Sequence, residues 1–238
     1  MRLSTGGALR LAVGEHVREL PAPRRILHKA LMTLDFETSR LRAGFCHVVG
    51  IDEAGIGPWA GPVVAAAVWL DPDALPKGLA DSKALSSQRR EACYEEIMRL
   101  AKVGVGIADV TRIDRDNVLR ASHWAMGEAV RALSFAPDLA AIDGVHAPDV
   151  GCMVETVIGG DAKIASIAAA SIIAKVTRDR LMAQLSAQYP GYGFERHMGY
   201  GTAQHRAAIA ALGVTPIHRR SFRPVKAALA YLPLRTEG

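Results

Sequence analysis

Four carboxylates at the ends of predicted secondary structure are the side chains in this chain best suited to chemistry. Asp52 and Glu53 end one predicted strand, Asp143 ends a second, and Asp161 begins a long apolar segment. Ligands of α/β sheets bind at the carboxyl ends of the strands, so we expect these acids to converge there.

Carboxylates held side by side need a counter-charge, because like charges oppose each other's ionisation. All-oxygen ligands suit Mg²⁺ or Mn²⁺ rather than zinc, and no histidine lies in these motifs. Two such ions about 4 Å apart orient a water and stabilise in-line phosphoryl transfer. The set therefore predicts hydrolysis of a phosphodiester with two bound Mg²⁺ or Mn²⁺ ions.

Each acid taken singly also has an ordinary structural interpretation. Asp161 fits a helix N-cap, which stabilises by about 1 kcal/mol. Asp143-Gly144 fits a turn, and Asp52 fits a strand-end residue that faces water. Only their convergence separates the catalytic interpretation from these.

A glycine-rich run after the first pair of acids formally matches a dinucleotide fingerprint. Gly55, Gly57 and Ala60 satisfy the pattern G-x-G-x-x-A. However, Pro58 lies inside the run, and residues 63–68 resemble a strand rather than the start of a helix. The context therefore argues against a nucleotide-cofactor site.

The hydropathy pattern predicts the elements that would position the acids. Apolar runs predict five strands, at residues 47–52, 63–70, 103–110, 139–143 and 153–158. Helical periodicity predicts three helices, at residues 86–103, 111–133 and 161–189, and then two short ones after a Gly- and Tyr-rich loop at 190–201. This order predicts an α/β domain with a helical C-terminal part from about residue 190.

Composition excludes several classes of protein. Of 238 residues, 50% are hydrophobic and 22% are charged, which is too apolar for a disordered chain. The three cysteines form no CxxC pair, which argues against a disulfide framework or zinc site. The longest near-apolar stretch, residues 164–174, is too short to span a bilayer. We therefore expect one folded domain with no membrane partner. We further expect a monomeric, cytoplasmic protein.

Residues 1–31 differ in charge from the rest of the chain. They hold six Lys or Arg and two acids, so their +4 leaves +1 of the total +5 for the remainder. We interpret this segment as a disordered extension or a product of an upstream start codon. A transit-like peptide fits less well because two acids interrupt it. Residues 32–238 then form the catalytic domain.

Five motifs in order resemble those of bacterial ribonuclease HII, a type 2 ribonuclease H, between about Leu34 and Val225. They are GIDEAGIGPWAG at 50–61, DSK at 81–83, IDG at 142–144, GD at 160–161 with AAASIIAKVTRD at 168–179, and HMGYGT at 197–202, before a final HRRSF at 218–222. The resemblance implies a ribonuclease-H-like mixed sheet flanked by helices. It also implies endonucleolytic cleavage of RNA in RNA–DNA hybrids and at ribonucleotides embedded in duplex DNA, leaving 3′-hydroxyl and 5′-phosphate ends.

The resemblance also assigns roles by position. Asp52, Glu53, Asp143 and Asp161 would be the catalytic, metal-holding acids. Tyr200 would pack against the ribose and sense its 2′-hydroxyl, the atom that separates RNA from DNA. Backbone groups of Gly55, Ile56 and Gly57 would contact the same ribose, where close approach favours glycine.

Phosphate contacts are expected from Lys83, Ser171 and Lys175, of which the last two lie four residues apart on one helical face. A packing role for Ser171 and an ion pair of Lys175 with Asp179 are the structural alternatives. His197 is interpreted as a structural histidine.

Two positions depart from the family pattern. Ile56 stands where the family usually has Arg, and Met198 stands where it usually has a basic residue. Both changes remove positive charge near the expected substrate groove, so substrate affinity is expected to fall while catalysis survives.

Two other classes of function remain open. A junction-resolvase type of ribonuclease-H-like nuclease would share acids at strand ends but not the Tyr200 loop. A non-catalytic nucleic-acid-binding protein would need no cluster of carboxylates.

Overall fold

The computed structural model describes residues 32–80 and 82–231. The predicted extension at residues 1–31 lies outside this range, as does Asp81 of the DSK motif.

Five strands form one mixed sheet in the order β3-β2-β1-β4-β5. The strands are β1 (Val48–Ala54), β2 (Val63–Trp69), β3 (Lys102–Ala108), β4 (Leu139–Asp143) and β5 (Met153–Val157). Strands β1 and β2 pair antiparallel, as do β2 and β3, whereas β4 runs parallel to both β1 and β5. The predicted mixed sheet is confirmed, and its parallel half places the ends of β1 and β4 side by side.

Helices cover both faces of the sheet. They are α1 (Asp35–Arg42), α2 (Ser87–Leu100), α3 (Val110–Asp116), α4 (Val118–Arg131) and α5 (Ala165–Gln188). Alternate residues of β2 divide between the two cores: Val63 and Ala65 pack with α4, whereas Ala66 and Val68 pack with α2 and α5. This period of two gives three layers, with the sheet in the middle.

Helix α5 lies unusually close to β1, because Gly50 leaves room for it. A Cβ at Gly50 would lie 2.1 Å from the backbone carbon of Ser166. Any side chain there would therefore push α5 away from the strand that carries Asp52 and Glu53.

The predicted single helix at 111–133 is wrong. Asn117 adopts φ 70° and ψ 163°, which separates α3 from α4, and its side chain accepts hydrogen bonds from the Leu119 and Arg120 amides. Asparagine tolerates positive φ and offers the backbone this local alternative to continuing the helix.

The predicted start of the long helix at Asp161 is also wrong. Residues Gly160–Ala162 form a short 3₁₀ turn, and α5 begins only at Ala165 after Ile164 adopts an extended conformation. Asp161 is therefore not the N-cap of α5.

The helical C-terminal part is confirmed. A short helix, α6 (Phe194–His197), lies within the predicted loop at 190–201, and the two helices predicted after that loop are α7 (Ala203–Leu212) and α8 (Arg223–Tyr231). An apolar cluster around Phe194 and Met182 joins this part to α5. No helix within the described residues is long and apolar enough to cross a bilayer.

Candidate active site

Three aspartates meet at the carboxyl ends of β1 and β4. Asp52, Asp143 and Asp161 each offer a carboxylate oxygen, and these oxygens lie within 4.8 Å of one another. Parallel pairing of Ile51 with Ile142 brings the first two together. The amide of Gly160 donates to Asp143 Oδ1 at 2.8 Å, which ties the turn that carries Asp161 to β4.

Glu53 is the fourth predicted acid and lies in the same cavity but outside this three-oxygen group. Its Oε2 atom is buried and has no hydrogen-bond partner among the residues that the structure describes. A buried carboxylate oxygen without a hydrogen-bond donor destabilises the folded protein unless a ligand or an ion binds that oxygen. We refer to Asp52, Glu53, Asp143 and Asp161 as the acid cluster.

Burial and mutual repulsion raise the pKa of two members of the acid cluster, Asp52 and Glu53. Burial, with the charge of Glu53, raises the pKa of Asp52 to about 8. Burial, with the charge of Asp143, raises the pKa of Glu53 to about 7. The charge of Lys83 acts to lower the pKa of Glu53, but burial and repulsion outweigh it, so the pKa of both carboxyl groups stays raised. This all-oxygen set fits a divalent cation such as Mg²⁺ or Mn²⁺, as predicted.

Lys83 provides positive charge at one side of the acid cluster. Its Nζ atom lies 2.7 Å from Asp161 Oδ2, although the lysine side chain is 77% exposed. The ammonium group is thus next to the acid cluster, at the edge of the cavity.

Ser171 and Lys175 lie on consecutive turns of α5, on the face toward the acid cluster. Ser171 hydrogen-bonds Asp52, which acts to lower the pKa of that carboxyl, and its hydroxyl lies 2.8 Å from that of Ser82. Lys175 donates to Asp179 at 2.8 Å, which is the structural alternative considered for it. Lys175 nevertheless also lines the cavity.

One cavity of about 330 Å³ gathers every predicted site residue except the buried Asp161. It is lined by Asp52, Glu53, Ala54, Gly55, Ile56, Gly57, Ser82, Lys83, Arg90, Asp143, Ser171, Lys175, Arg178 and Tyr200. The predicted metal, phosphate and ribose contacts thus share a single open space.

The two glycines of the 55–57 turn, which we call the glycine turn, have different reasons to be glycine. Gly55 has φ +103°, and a Cβ there would lie 2.2 Å from Arg178 Nε. At Gly57 a Cβ would meet only Tyr200 Cε1, at an ordinary 3.5 Å. The fold itself therefore requires Gly55, whereas a small side chain at Gly57 would fit against Tyr200.

The two departures from the family pattern occupy different surroundings. Ile56 lines the cavity and packs partly against the core between the sheet and α4. Met198 packs against the cluster around Phe194 instead. Only Ile56 therefore faces the space where a substrate would lie.

Sequence reasoning missed Arg90. Its guanidinium donates to the carbonyls of Ser82 and Leu85, each at 2.9 Å, which fixes the segment that carries Lys83. No spacing rule connects an arginine on α2 with these carbonyls.

The prediction of a structural His197 is confirmed, because its ring nitrogens contact the Tyr192 carbonyl and the Gly199 amide.

A mixed sheet with acids at the ends of neighbouring parallel strands and helices on both faces defines a ribonuclease-H-like nuclease. Comparison with known proteins gives the particular family. The family model described as Ribonuclease HII matches residues 49–225. A protein named Ribonuclease HII from Azorhizobium caulinodans is 57% identical over 201 residues, covering 84% of this chain and 78% of its own.

Solved structures agree with this match. The ribonuclease H2 of Pyrococcus horikoshii OT3 is similar with a TM-score of 0.67 and 25% identity, over 77% of this chain and 97% of that one. The ribonuclease HII of Archaeoglobus fulgidus, solved in complex with PCNA, gives 0.65 and 30%, over 75% and 96%. The chain belongs to the ribonuclease HII family and is a ribonuclease H, a hydrolase of RNA–DNA hybrids. These matches favour neither the resolvase-type nor the non-catalytic alternative.

Proposed function

We propose that this chain is an endonuclease that cuts at single ribonucleotides embedded in duplex DNA, as well as within longer RNA–DNA hybrids. The cut leaves a 3′-hydroxyl and a 5′-phosphate and begins the removal of ribonucleotides from DNA. The observation that carries the proposal is that the acid cluster, the glycine turn and Tyr200 share one cavity.

The acid cluster performs the chemistry in this proposal. Asp52, Asp143 and Asp161 present converging oxygens, and the unpartnered Oε2 of Glu53 adds a further ligand atom. When bound, two Mg²⁺ or Mn²⁺ ions supply the positive charge that activates water and offsets charge at the scissile phosphate. Ser171 orients the Asp52 carboxylate through their hydrogen bond.

Cationic side chains around the acid cluster hold the flanking phosphates. Lys83 is mostly exposed and Lys175 is one-third exposed, so both can contact a backbone that runs along the cavity. Arginine is absent at position 56, so these two lysines contribute a larger share of the positive charge at the cavity.

Tyr200 and the glycine turn select the ribose. Tyr200 is 47% exposed in the cavity and stands next to Gly57. A nucleotide placed against both of them stacks its sugar on the phenol ring and presents its 2′-hydroxyl to backbone groups of the turn. DNA lacks this hydroxyl and therefore loses the contact.

The test uses three labelled duplexes of one sequence: all-DNA, DNA with one ribonucleotide, and an RNA–DNA hybrid. Each is incubated with Mg²⁺, Mn²⁺ or EDTA. We expect both ribose-containing duplexes to be cut in either metal and none in EDTA, with products that a DNA polymerase extends from their 3′-hydroxyl. Products that end in a cyclic phosphate, or cutting in EDTA, would contradict the proposed chemistry.

A matched pair at Tyr200 tests the assignment of the ribose contact. Tyr200→Ala removes the stacking surface and should lower cleavage at the single ribonucleotide by about 10- to 100-fold, the equivalent of roughly 1–3 kcal/mol for one stacked group. Tyr200→Phe keeps the ring and should retain most activity. Equal activity of the alanine variant and the unaltered protein would contradict the assignment of Tyr200 to the ribose contact.

That the protein is monomeric and cytoplasmic stays a prediction.

A further inference from the structure

His218 and Arg219 are adjacent, fully buried polar residues for which the catalytic chemistry has no use. They lie between α7 and α8 and are 1% and 0% exposed. Neither lines the cavity. Each of them is nevertheless linked by hydrogen bonds to one of the two features proposed to contact the ribose, the glycine turn and Tyr200.

Arg219 holds the glycine turn. Its guanidinium donates to the carbonyls of Gly55 at 2.5 Å, Ile56 at 2.8 Å and Gly61 at 3.0 Å. Its own amide donates to the Trp59 carbonyl at 2.8 Å. Because the carbonyls of the turn are bound on this inner side, the orientation of its peptide groups toward the cavity is fixed.

His218 reaches Tyr200 through His205. The Thr215 amide donates to His218 Nδ1 at 2.9 Å, so that nitrogen is an acceptor and Nε2 carries the proton. His218 Nε2 lies 3.0 Å from His205 Nε2, which must then accept. His205 Nδ1 therefore donates to the Tyr200 carbonyl, at 3.0 Å.

This chain of hydrogen bonds needs both imidazoles to be neutral. Burial lowers the pKa of His218 to about 4, and burial likewise lowers the pKa of His205. The direction of hydrogen bonding and the ionisation of the rings thus agree at neutral pH.

Burying Arg219 is costly, and packing alone does not explain it. Burial, with the neighbouring charge of Arg178, lowers its pKa to about 9. Apolar residues of similar volume commonly replace buried charges without loss of stability. The planar fork of arginine, however, binds several carbonyls at once, which neither an apolar side chain nor lysine can do.

We propose that Arg219, and His218 acting through His205, are a positioning pair that fixes the glycine turn relative to Tyr200 and so sets the selection of ribose over deoxyribose. The inference rests on the proposed function, which places the sugar against both of these features. Neither residue touches the substrate.

The test measures ribose selectivity in binding, separately from folding. Variants are made in the full chain that carries Asp143→Asn, so that the bound duplex stays intact. Fluorescence anisotropy with Mg²⁺ gives the Kd for a duplex with one ribonucleotide and for the all-DNA duplex of the same sequence. The ratio of the two Kd values is the selectivity, and a melting curve of each variant reports stability.

Two pairs of variants and one control separate positioning from general destabilisation. Arg219→Lys keeps the charge but can donate to fewer carbonyls. Arg219→Met removes both the charge and the hydrogen bonds. His205→Asn keeps a donor at the place of Nδ1, whereas His205→Phe keeps a ring without one. As the control, Ile97→Val removes one carbon from a buried side chain of α2, a helix that contributes no residue to the glycine turn or the Tyr200 loop.

The expected result is a loss of selectivity of about tenfold in Arg219→Lys, Arg219→Met and His205→Phe, the equivalent of one lost hydrogen bond. His205→Asn should recover most of it, and Ile97→Val should leave it unchanged. If the Arg219 variants do not fold, the comparison of the two His205 variants decides.

The pair is overturned if the parent Asp143→Asn chain is selective and Arg219→Lys and His205→Phe keep that selectivity, or if Ile97→Val loses as much. Absence of selectivity in the parent chain, together with failure of the unaltered protein to cut at a single ribonucleotide, overturns the proposed function as well. The two failures are therefore distinguishable.

Discussion

The acid cluster and the buried polar residues of the C-terminal part differ in the partners that their polar atoms have. In the C-terminal part, His205, His218 and Arg219 have their nitrogens bound by carbonyls, by an amide or by each other. In the acid cluster, Glu53 keeps a buried oxygen without a partner within the described chain. Burial and, second to it, mutual repulsion raise the pKa of Asp52 and Glu53, and the hydrogen bonds to these two carboxyl groups do not offset this.

This difference separates a region built to be rigid from one built to receive a ligand. Buried polar groups that are fully hydrogen-bonded specify one arrangement of the chain. Buried carboxylates without counter-charges destabilise the protein alone and become favourable only when a cation arrives. The C-terminal part therefore serves the site by holding its shape, whereas the acid cluster serves it by binding and chemistry.

The largest expected effect comes from removing a charge of the acid cluster. Asp143→Asn should lower the rate of cleavage of an RNA–DNA hybrid by several orders of magnitude, because a metal ligand loses its charge. Asp73→Asn makes the same chemical change at an exposed loop residue after β2 and should cut at the normal rate. Normal turnover by Asp143→Asn would end the two-ion interpretation.

A second, smaller effect is expected where the family arginine is missing. Ile56→Arg places a charge-assisted donor in the cavity, worth roughly 1.5–3 kcal/mol. Affinity for the substrate should rise about 10- to 100-fold, chiefly as a lower KM. Ile56→Gln provides a donor without charge and should gain much less. If the unaltered protein cuts only long hybrids and Ile56→Arg gains single-ribonucleotide cleavage, the side chain rather than the backbone of the turn recognises the ribose.

Opposite pH dependence should appear in the two clusters. The folded pKa of Asp52 is near 8, above the ordinary 3.8, so the folded state binds more protons and stability falls as pH rises toward 8. The folded pKa of His218 is near 4, below the ordinary 6.5, so stability falls as pH drops below 6.5.

Melting curves in EDTA from pH 4 to 9 measure both slopes. Between pH 6.5 and 8, of the two clusters only the acid cluster makes stability fall as pH rises, and Asp52→Asn should reduce this fall. Below pH 6.5 the two clusters act in opposite directions, so His218→Phe, which removes the histidine contribution, should shift the change in stability on acidification toward the increase that the acid cluster causes, and should leave the alkaline side as it is. An unchanged alkaline slope in Asp52→Asn would mean that this carboxyl is ionised in the metal-free protein.

The smallest effect is expected from residues 1–31. A chain that begins at Met32 keeps every residue of both clusters, so its melting temperature and cleavage rate should be unchanged. Loss of the +4 charge should only weaken non-specific binding of duplex and flatten its dependence on salt. Unfolding of the shortened chain would show that the predicted domain boundary is wrong.

Sequence patterns predicted the parts of the fold that depend on local periodicity. All five strands lie at the predicted places, and parallel neighbours bring Asp52 and Asp143 together. The break at Asn117 was missed because a single side chain that caps the next helix outweighs the helical period on either side. The start of α5 was missed because a 3₁₀ turn intervenes after Asp161.

The supports of the site could not be predicted from spacing. Arg219 binds the carbonyl of Gly55 across 164 residues of sequence, and any residue type offers the same carbonyl. Such a contact has no signature in one sequence beyond the arginine itself. The acids, in contrast, were found because their chemistry depends on residue type and on strand ends.

The central claim is that the acid cluster is destabilising alone and is stabilised by a divalent cation. The most direct measurement is the melting temperature of the unaltered protein and of Asp52→Asn at pH 8, in EDTA and then with Mg²⁺. We predict that Asp52→Asn melts higher in EDTA, by about 2–4 °C for each kcal/mol of burial cost and repulsion relieved, and that Mg²⁺ raises the melting temperature of the unaltered protein but much less that of the variant. A variant that melts lower in EDTA, or that gains as much from Mg²⁺ as the unaltered protein, would contradict the claim.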